Sequence, residues 1–554
     1  MKKGGEILKE NYKTYLKFLF SFKGAKKYFG MAIVATVLHS AFDFAPTWLV
    51  MKLFGVIFDT KNLLALVGLA VGIVVTYILA SVMFFTKEFS VRWLGAFLNY
   101  TLRIKIFEKL LKLPPYRKEL KDRGNILNLA SADLEIIQGI YSSIIDVIGR
   151  TLFLIMTLGF MLYLNWRLLL FSLATLPIVA LIVRKLTTLL KRHIAEARIA
   201  YSSLLNRVNV AIDAVDVVNV YRKDEFMKRF LEKIYKDYLK KFLRSVRVVS
   251  LLSPSIQITA SVGIAFILIV GGKSVFMGVM KPQELMAFLI AMARALLPAK
   301  RLTSQLGNFE NYKVVFGRLN NYLNLPECNW NEGQELKGEF ERLNFEEVKV
   351  GIGDKLILRE VNFEVKKGEF VSIVGQSGEG KSTLLRVIMK MFPYEGKARV
   401  NGIELKDVAA TSLWQKMAYI PQFPVFFDAS FRENMFVEEW SEEIREKLEK
   451  LFMRFEVYDR FSKYLENPDS RFLPERFSGG QLQRLALIRA LLLERELLLL
   501  DEATGNLDSK TEEMVLSYLK QTGKTIVFVT HRLKALEVSD RIYRVEKGYV
   551  FAEK

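Results

Sequence analysis

Long apolar stretches alternate with charged segments over the first 300 residues of the chain. Six of them approach the roughly 20 apolar residues that a helix needs to cross a hydrocarbon core about 30 Å thick. They lie near residues 29–58, 63–86, 139–164, 167–190, 248–274 and 281–300. From about residue 340 the pattern changes to short β-rich runs between helical ones, such as Phe370–Val374 and Thr525–Val529. The pattern predicts an α-helical transmembrane domain of six helices, followed by an α/β domain with a largely parallel sheet.

The segments between the predicted spans differ in length and charge. The short ones carry few basic residues and lie at 59–62, 165–166 and 271–283. The long ones, 87–138 and 191–247, are rich in Lys and Arg. The positive-inside rule therefore places the long segments and both termini in the cytoplasm. Their helical periodicity indicates that the membrane helices continue into the cytosol, with turns near 114–122 and 212–222.

The net charge of +21 arises in the membrane-type half of the chain. Residues 1–340 hold 46 basic and 24 acidic residues, whereas residues 341–554 hold 34 and 35. Because the basic residues flank apolar runs, we favour cytoplasmic loops over nucleic-acid binding. The single cysteine, Cys328, excludes an intrachain disulfide and, with three histidines, makes no convincing zinc site.

The N-terminal segment Tyr12–Phe22 mixes aromatic and basic residues. This composition predicts an elbow helix on the membrane surface, with an ordinary solvated helix as the alternative. The first long apolar run begins near Phe29, too far along for a cleaved signal peptide.

A glycine-rich loop follows the predicted strand Phe370–Val374 and precedes a predicted helix, Leu384–Met391. Its residues fit the pattern G-x-x-x-x-G-K-[ST] and are Gly375, Gln376, Ser377, Gly378, Glu379, Gly380, Lys381, Ser382 and Thr383. In this context the pattern predicts a phosphate-binding loop, in which backbone N–H groups cradle phosphates. We expect Lys381 to bind the β- and γ-phosphates and Ser382 to ligate Mg²⁺.

Two adjacent carboxylates, Asp501 and Glu502, follow the apolar run Leu497–Leu500. In a phosphate-loop protein the first carboxylate is placed to hold Mg²⁺, and the second to polarise the attacking water. An apolar run before Asp-Glu is common by itself. Its position 120 residues after Lys381 makes this one specific.

Between these motifs the chain reads Phe477-Ser478-Gly479-Gly480-Gln481. This segment resembles the signature of ATP-binding cassette (ABC) proteins, with Phe where Leu is usual. In that family the signature binds the nucleotide held by the partner subunit, which implies a composite ATP site and a dimer.

Three further residues resemble ABC family elements in the expected order. Gln422 resembles the glutamine that links Mg²⁺ and water to the membrane domain. Asp508 resembles the D-loop aspartate at the dimer interface, and His531 resembles the switch histidine that contacts the γ-phosphate. The resemblance covers about residues 340–554.

The chain also departs from the family pattern. Ile352 stands where an aromatic residue usually stacks on adenine, so plain apolar contact is expected there instead. The D-loop reads Gly505-Asn506 where Ser-Ala is more common. The stretch before the signature lacks the usual Gly-Glu-x-Gly spacing, and Glu475 is the candidate for its coupling role.

Six helices before a cassette resemble the exporter half-transporters typified by bacterial lipid flippases and multidrug pumps. The resemblance implies ATP-driven export or flipping of an amphipathic lipid or drug-like substrate across the cell (inner) membrane, by alternating access of a dimer. A homodimer is favoured, a heterodimer stays open, and no nucleic-acid partner is expected. The expected domains are a transmembrane domain at 1–325, a linker at 326–339 and a cytoplasmic nucleotide-binding domain at 340–554.

Charged residues within the predicted spans are candidates for the substrate cavity. Asp43 lies in the first span, and Asp146 and Arg150 stand four residues apart in the third. An alternative that we weight equally is that these charges lie in the headgroup region or form a structural pair. An ATP-gated channel or regulator is the competing function, which Glu502 disfavours. We also expect no peptide-processing exporter, since no protease segment precedes the spans.

Overall fold

The computed structural model describes residues 19–20, 22–60, 62–117, 123–174, 176–352 and 355–554. The predicted elbow helix at 12–22 lies largely outside these residues. The chain divides into two compact units. Residues 1–103 and 131–320 form the helical unit, and residues 104–130 and 321–554 form the α/β unit.

Helices account for nearly all of the described residues before residue 324. In chain order they are α1 (Ala25–Gly55), α2 (Leu63–Lys112), α3 (Arg123–Asn128), α4 (Leu134–Gln138), α5 (Ile140–Leu164), α6 (Trp166–Ala174), α7 (Leu176–Asp213), α8 (Val215–Val220), α9 (Asp224–Phe276) and α10 (Pro282–Leu323). Single π-helical turns follow α1 and α3, at Val56–Thr60 and Leu129–Asp133. The break between α7 and α9 falls at the predicted turn near 212–222.

Three described helical segments are long and apolar enough to cross a membrane. They are Ala25–Asp59, Leu63–Lys112 and Gly124–Leu164, which contain the first three predicted spans. A shorter apolar stretch, Ser261–Phe276, lies in the fifth, and the fourth is described only in part. On α2, Leu64 and Phe85 expose 84% and 70% of their surface, as lipid-facing residues do. The chain therefore has multi-pass character, and the count of six spans stays a prediction.

Small residues let α1 and α5 approach closely. A Cβ atom at Gly149 would come within 2.7 Å of the Thr36 methyl group. The Ser40 hydroxyl donates to the Gly149 carbonyl at 3.1 Å. Further along, Phe160 and Leu168 pack with Ile267 and Phe288 into an apolar core shared by α5, α6, α9 and α10.

The described residues of the α/β unit form three sheets. Its strands are β1 (Arg342–Ile352), β2 (Lys355–Lys366), β3 (Phe370–Gly375), β4 (Glu395–Val400), β5 (Ile403–Glu404), β6 (Met417–Ile420), β7 (Ala429–Ser430), β8 (Arg471–Phe472), β9 (Leu497–Asp501), β10 (Thr525–Val529), β11 (Arg541–Glu546) and β12 (Tyr549–Ala552). Its helices are α11 (Lys381–Ile388), α12 (Ala410–Trp414), α13 (Phe431–Asn434), α14 (Glu442–Arg454), α15 (Tyr458–Phe461), α16 (Lys463–Glu466), α17 (Gly479–Leu492), α18 (Ser509–Gln521) and α19 (Leu533–Val538), with 3₁₀ turns at Leu405–Asp407 and Pro474–Arg476.

The main sheet has the strand order β12-β11-β3-β10-β9-β6, and all its pairings except β11–β12 are parallel. The predicted parallel sheet is thereby confirmed. A four-stranded antiparallel sheet of order β2-β1-β4-β5 and a short β7–β8 pair complete the unit. Because the central strands are parallel, the residues that follow β3, β6, β9 and β10 meet at one edge.

The core lies on both faces of this sheet, and the strands show it residue by residue. On β9 and β10, Leu499 and Val527 join one apolar cluster. Their neighbours Leu500 and Phe528 join the other. Since successive strand side chains point to opposite faces, both faces are covered. This explains why these strands are continuous apolar runs in the sequence.

Residues from the first long cytosolic segment belong to the α/β unit. Tyr116 packs edge-on against Phe392, with ring centroids 5.6 Å apart. The Cys328 N–H donates to the Lys112 carbonyl at 2.8 Å, and Lys109 pairs with Glu327 at 2.9 Å. The predicted turn at 114–122 thus contacts this unit through its described part.

Candidate nucleotide site

The phosphate loop leaves β3 and enters α11, which begins at Lys381, three residues before the predicted start. Gly380 has φ +108°, and a Cβ atom there would come within 2.8 Å of Leu358. A Cβ at Gly375 would overlap the Val545 carbonyl oxygen, so only glycine fits. The Lys381 ammonium donates to the carbonyls of Gly375 and Gln376 at 2.8 and 2.7 Å, which folds its side chain over the loop.

Asp501 ends β9 beside the first turn of α11. The Ser382 hydroxyl donates to one Asp501 carboxylate oxygen at 3.0 Å, and the Tyr419 hydroxyl lies 3.4 Å from the other. Burial raises the pKa of Asp501 above its ordinary value, and the Ser382 hydrogen bond opposes that shift. Burial, reinforced by the Asp501 charge, raises the pKa of Tyr419 to about 12.

Glu502 follows directly, in the left-handed region with φ +50°. The Gln422 side-chain amide donates to its carboxylate at 2.7 Å, and His531 Nδ1 lies 4.0 Å from the other oxygen. Gln422 follows β6 and His531 follows β10, so three strands deliver these groups. A left-handed conformation at a non-glycine residue is strained, and such strain is concentrated at functional sites.

One cavity of about 1310 Å³ brings these groups together. Its lining comprises the whole loop 375–383 with Gln422, Glu502, His531, four residues of β2 (Lys355, Leu356, Ile357 and Arg359) and the turn Lys547–Gly548. Asp501 lies next to the cavity, where its carboxylate accepts a hydrogen bond from the lining residue Ser382. Ile352 ends β1 opposite Lys355, and its side chain lies outside the part of the chain that the structure describes.

The signature residues do not line this cavity. Ser478 is the N-cap of α17: its hydroxyl accepts from the Gln481 N–H, and the Gln481 side chain accepts from the Ser478 N–H. A Cβ at Gly480 would come within 2.9 Å of the Asn506 carbonyl, and Gly479 also faces Asn506. The signature is therefore fixed to the D-loop of its own chain and separate from the phosphate loop.

Asp508 also caps a helix. Its carboxylate accepts from the backbone N–H groups of Lys510 and Thr511 and from the Thr511 hydroxyl, at 3.1, 3.0 and 2.7 Å. The Thr511 bonds, the backbone one foremost, lower the pKa of Asp508 below its ordinary value. In the described structure this side chain holds the start of α18.

Sequence reasoning missed two residues that connect the motifs. Buried Gln483 accepts from the Asn506 N–H at 2.9 Å and donates to the Gln422 carbonyl at 3.4 Å. Arg532 donates to the Gly505 and Leu507 carbonyls at 2.6 and 3.0 Å. Both stand beside recognised motifs, but only the fold shows that they join loops distant in sequence.

The candidate cavity charges of the helical unit have partners. Asp43 accepts from Arg294 at 2.7 Å, and the same guanidinium donates to Thr47 at 3.0 Å. Asp146 pairs with both Lys87 and Arg150, each at 3.0 Å. The predicted pair of Asp146 and Arg150 is thus present. Lys87 and Arg294, from α2 and α10, were not foreseen.

Comparison with known proteins identifies the family. Residues 29–297 match the ABC transporter transmembrane region, and residues 358–505 match the ABC transporter domain. The chain belongs to the ABC transporters and is an exporter half-transporter, an ATPase coupled to transport with a cytoplasmic nucleotide-binding domain.

Several curated relatives resemble the chain along most of its length. The ATP-dependent lipid A-core flippase of Desulfotalea psychrophila is 27% identical, over 94% of this chain and 93% of that protein. The flippase of Albidiferax ferrireducens is 25% identical, over 89% and 86%. The lactococcin-A transport/processing ATP-binding protein LcnC of Lactococcus lactis is 28% identical, over 87% and 68%.

Proposed function

We propose that the ATPase centre of this exporter is the edge of the main sheet where loop 375–383, Gln422, Glu502 and His531 meet. The observation that carries the proposal is the single cavity that these residues line, although they come from four separated parts of the sequence. In this proposal ATP binds with its triphosphate on the loop and its γ-phosphate toward Glu502. Lys381 then exchanges its loop carbonyls for phosphate oxygens.

The donor set beside the loop suits Mg²⁺. A hydroxyl and a carboxylate oxygen, from Ser382 and Asp501, stand 3.0 Å apart. Magnesium prefers such hard oxygen ligands, shared with phosphate oxygens and water. We assign Ser382 and Asp501 as its protein ligands, with Gln422 at the edge of the set. Bound there, the ion would neutralise charge on the β- and γ-phosphates.

Glu502 is the proposed general base. It lies at the γ-phosphate side and would accept a proton from the attacking water, which Gln422 orients through its 2.7 Å bond to the same carboxylate. His531, exposed and 4.0 Å from Glu502, would donate to the γ-phosphate.

The proposed working unit is a homodimer with two composite sites. The signature Ser478–Gln481 lines no part of its own chain's cavity, which leaves it available to a partner's nucleotide. One chain supplies both halves of a competent site, so two copies suffice. We retain a transmembrane domain at 1–325, a linker at 326–339 and a nucleotide-binding domain at 340–554, with 104–130 packed on the last.

The proposed substrate is an amphipathic molecule, a lipid or a drug-like compound. Two of the relatives described above are named as lipid A-core flippases. Among the described residues these clusters hold three cations, Lys87, Arg150 and Arg294, against two carboxylates, those of Asp43 and Asp146. This excess of positive charge favours an anionic group on the substrate. Reconstitution with labelled lipids and drugs, scored for ATP-dependent movement, tests this assignment.

The substitution Glu502→Gln tests the ATPase centre. We expect kcat to fall by about 10²- to 10⁴-fold, because the amide cannot accept the proton, while ATP binding persists. Glu439→Gln, an exposed glutamate outside the cavity, is the matched control and should keep wild-type turnover. Wild-type hydrolysis by Glu502→Gln would rule out the assigned role. Vanadate-sensitive, substrate-stimulated ATPase in liposomes separates an exporter from a gated channel.

A further inference from the structure

The nucleotide cavity has a second end, formed by the start of β2 and the turn between β11 and β12. In the main sheet, β3 stands between β11 on one side and β10, β9 and β6 on the other. His531, Glu502 and Gln422 follow the latter strands. A nucleotide with its γ-phosphate on that side, as in the proposed function on which this inference rests, directs its base toward β2 and Lys547–Gly548.

This second end is fixed by the backbone. The Arg359 N–H donates to the Gly548 carbonyl at 2.7 Å, and a Cβ at Gly548 would overlap the Ile357 carbonyl. Lys547 holds the turn with φ +49°. The side chains of Lys355, Arg359 and Lys547 therefore project from one stabilised wall.

The three cations of this wall differ from their neighbours. In the described structure none of them has an ion-pair or side-chain hydrogen-bond partner, whereas Arg541 on β11 pairs with Glu364 at 2.8 Å. The other side chains described at this end are Leu356 and Ile357. No aromatic ring and no side-chain hydrogen-bond acceptor is among the described lining there.

A wall of cationic donors with apolar stems favours particular bases. Arginine and lysine attract the π-face of any base, which gives affinity without strict selectivity. Along its N7 edge, guanine presents two acceptors, N7 and O6, which suit a guanidinium. Adenine presents N7 and an amino donor, which cations do not pair.

We propose that Arg359, with Lys355 and Lys547, recognises the purine base in this chain, and that the site accepts GTP at least as well as ATP. The cations take the place of a stacking aromatic ring. Arg359 is thereby a specificity-determining residue, since of these three side chains only its guanidinium is a planar group with paired N–H donors.

Steady-state hydrolysis of ATP and GTP by the full-length protein in nanodiscs tests this proposal. We expect a KM for GTP equal to or below that for ATP. Arg359→Ala should raise the KM for GTP roughly fivefold with kcat unchanged. Arg359→Gln, whose amide pairs with the adenine edge, should shift the ratio of kcat/KM by about tenfold toward ATP.

The matched control is Lys397→Ala, an exposed lysine of β4 away from the cavity, which should change neither KM. Inorganic tripolyphosphate, as a competitive inhibitor without a base, should keep its Ki in all variants. A Ki that rises in parallel with the KM values would mean that the cations serve phosphate, and would overturn the proposal. So would a wild-type preference for ATP above tenfold. Hydrolysis of neither nucleotide by wild-type protein would instead refute the ATPase centre.

Discussion

The phosphate loop and the signature segment are both glycine-containing turns that open a helix, yet they differ in what surrounds them. The loop 375–383 shares a cavity with Gln422, Glu502 and His531. The segment Ser478–Gln481 lines no part of that cavity, and its polar groups bond to one another. The phosphate loop can therefore be understood within a single chain, whereas the signature is given a role only by the dimer proposed above.

Mixed dimers give the largest expected effect. Lys381→Ala removes the lysine proposed to bind phosphate, and Gly480→Asp places a carboxylate where the signature meets the partner's nucleotide in the proposed dimer. Each variant alone should be nearly inactive. Mixed in equal amounts before reconstitution, they should recover about a quarter of the intact sites, because a mixed dimer keeps one wild-type pair.

The measurement compares the ATPase activity of the mixture with that of each variant alone. In the control, chains that carry Lys381→Ala are mixed with chains that carry both Lys381→Ala and Gly480→Asp. No dimer of these chains has an intact site. If the mixture is no more active than that control, the proposal of a composite site is wrong.

A smaller effect is expected at Gln483, which ties the signature helix to the loops carrying Gln422 and Asn506. Gln483→Leu leaves the Asn506 N–H and the Gln422 carbonyl without the side chain they bond to, and each lost hydrogen bond is worth about 0.5–1.5 kcal/mol. We expect kcat to fall about tenfold with little change in the KM for ATP, since the phosphate loop is untouched. Gln521→Leu, an exposed residue at the end of α18, is the matched control. A lowered melting temperature with full kcat would reduce Gln483 to a packing role.

The smallest effect compares two capping boxes. Ser478 with Gln481 and Ser430 with Glu433 make the same reciprocal bonds at the starts of α17 and α13. Ser478→Ala and Ser430→Ala should each lower the free energy of unfolding by about 1 kcal/mol. Only Ser478→Ala should also weaken ATP turnover, by a few fold, since in the proposed dimer its hydroxyl faces the partner's nucleotide. Equal ATPase rates in the two variants would count against a nucleotide contact at Ser478.

Sequence motifs predict the loop, Asp501 and Glu502 well, because each depends on a short segment whose strand and helix are themselves local. The parallel sheet followed from apolar runs such as Leu497–Leu500, which only a sheet covered on both faces buries. The partners of the charged residues in the predicted spans could not be predicted in this way. Asp43 and Arg294 are 251 residues apart, and nothing local relates them. The bridging role of Gln483 likewise depends on loops that meet only in the folded domain.

The contact between Tyr116 and Phe392 has a consequence for synthesis. Residues 104–130 leave the ribosome well before the rest of the α/β unit, and residues 131–320 come between them. At about 5–20 residues per second, that interval is roughly ten to forty seconds. Throughout it, Tyr116 lacks the ring it packs against, because Phe392 is synthesised only after residues 131–320. A fragment beginning at residue 340 would leave Phe392 uncovered, so co-expression with residues 104–130 should improve its solubility.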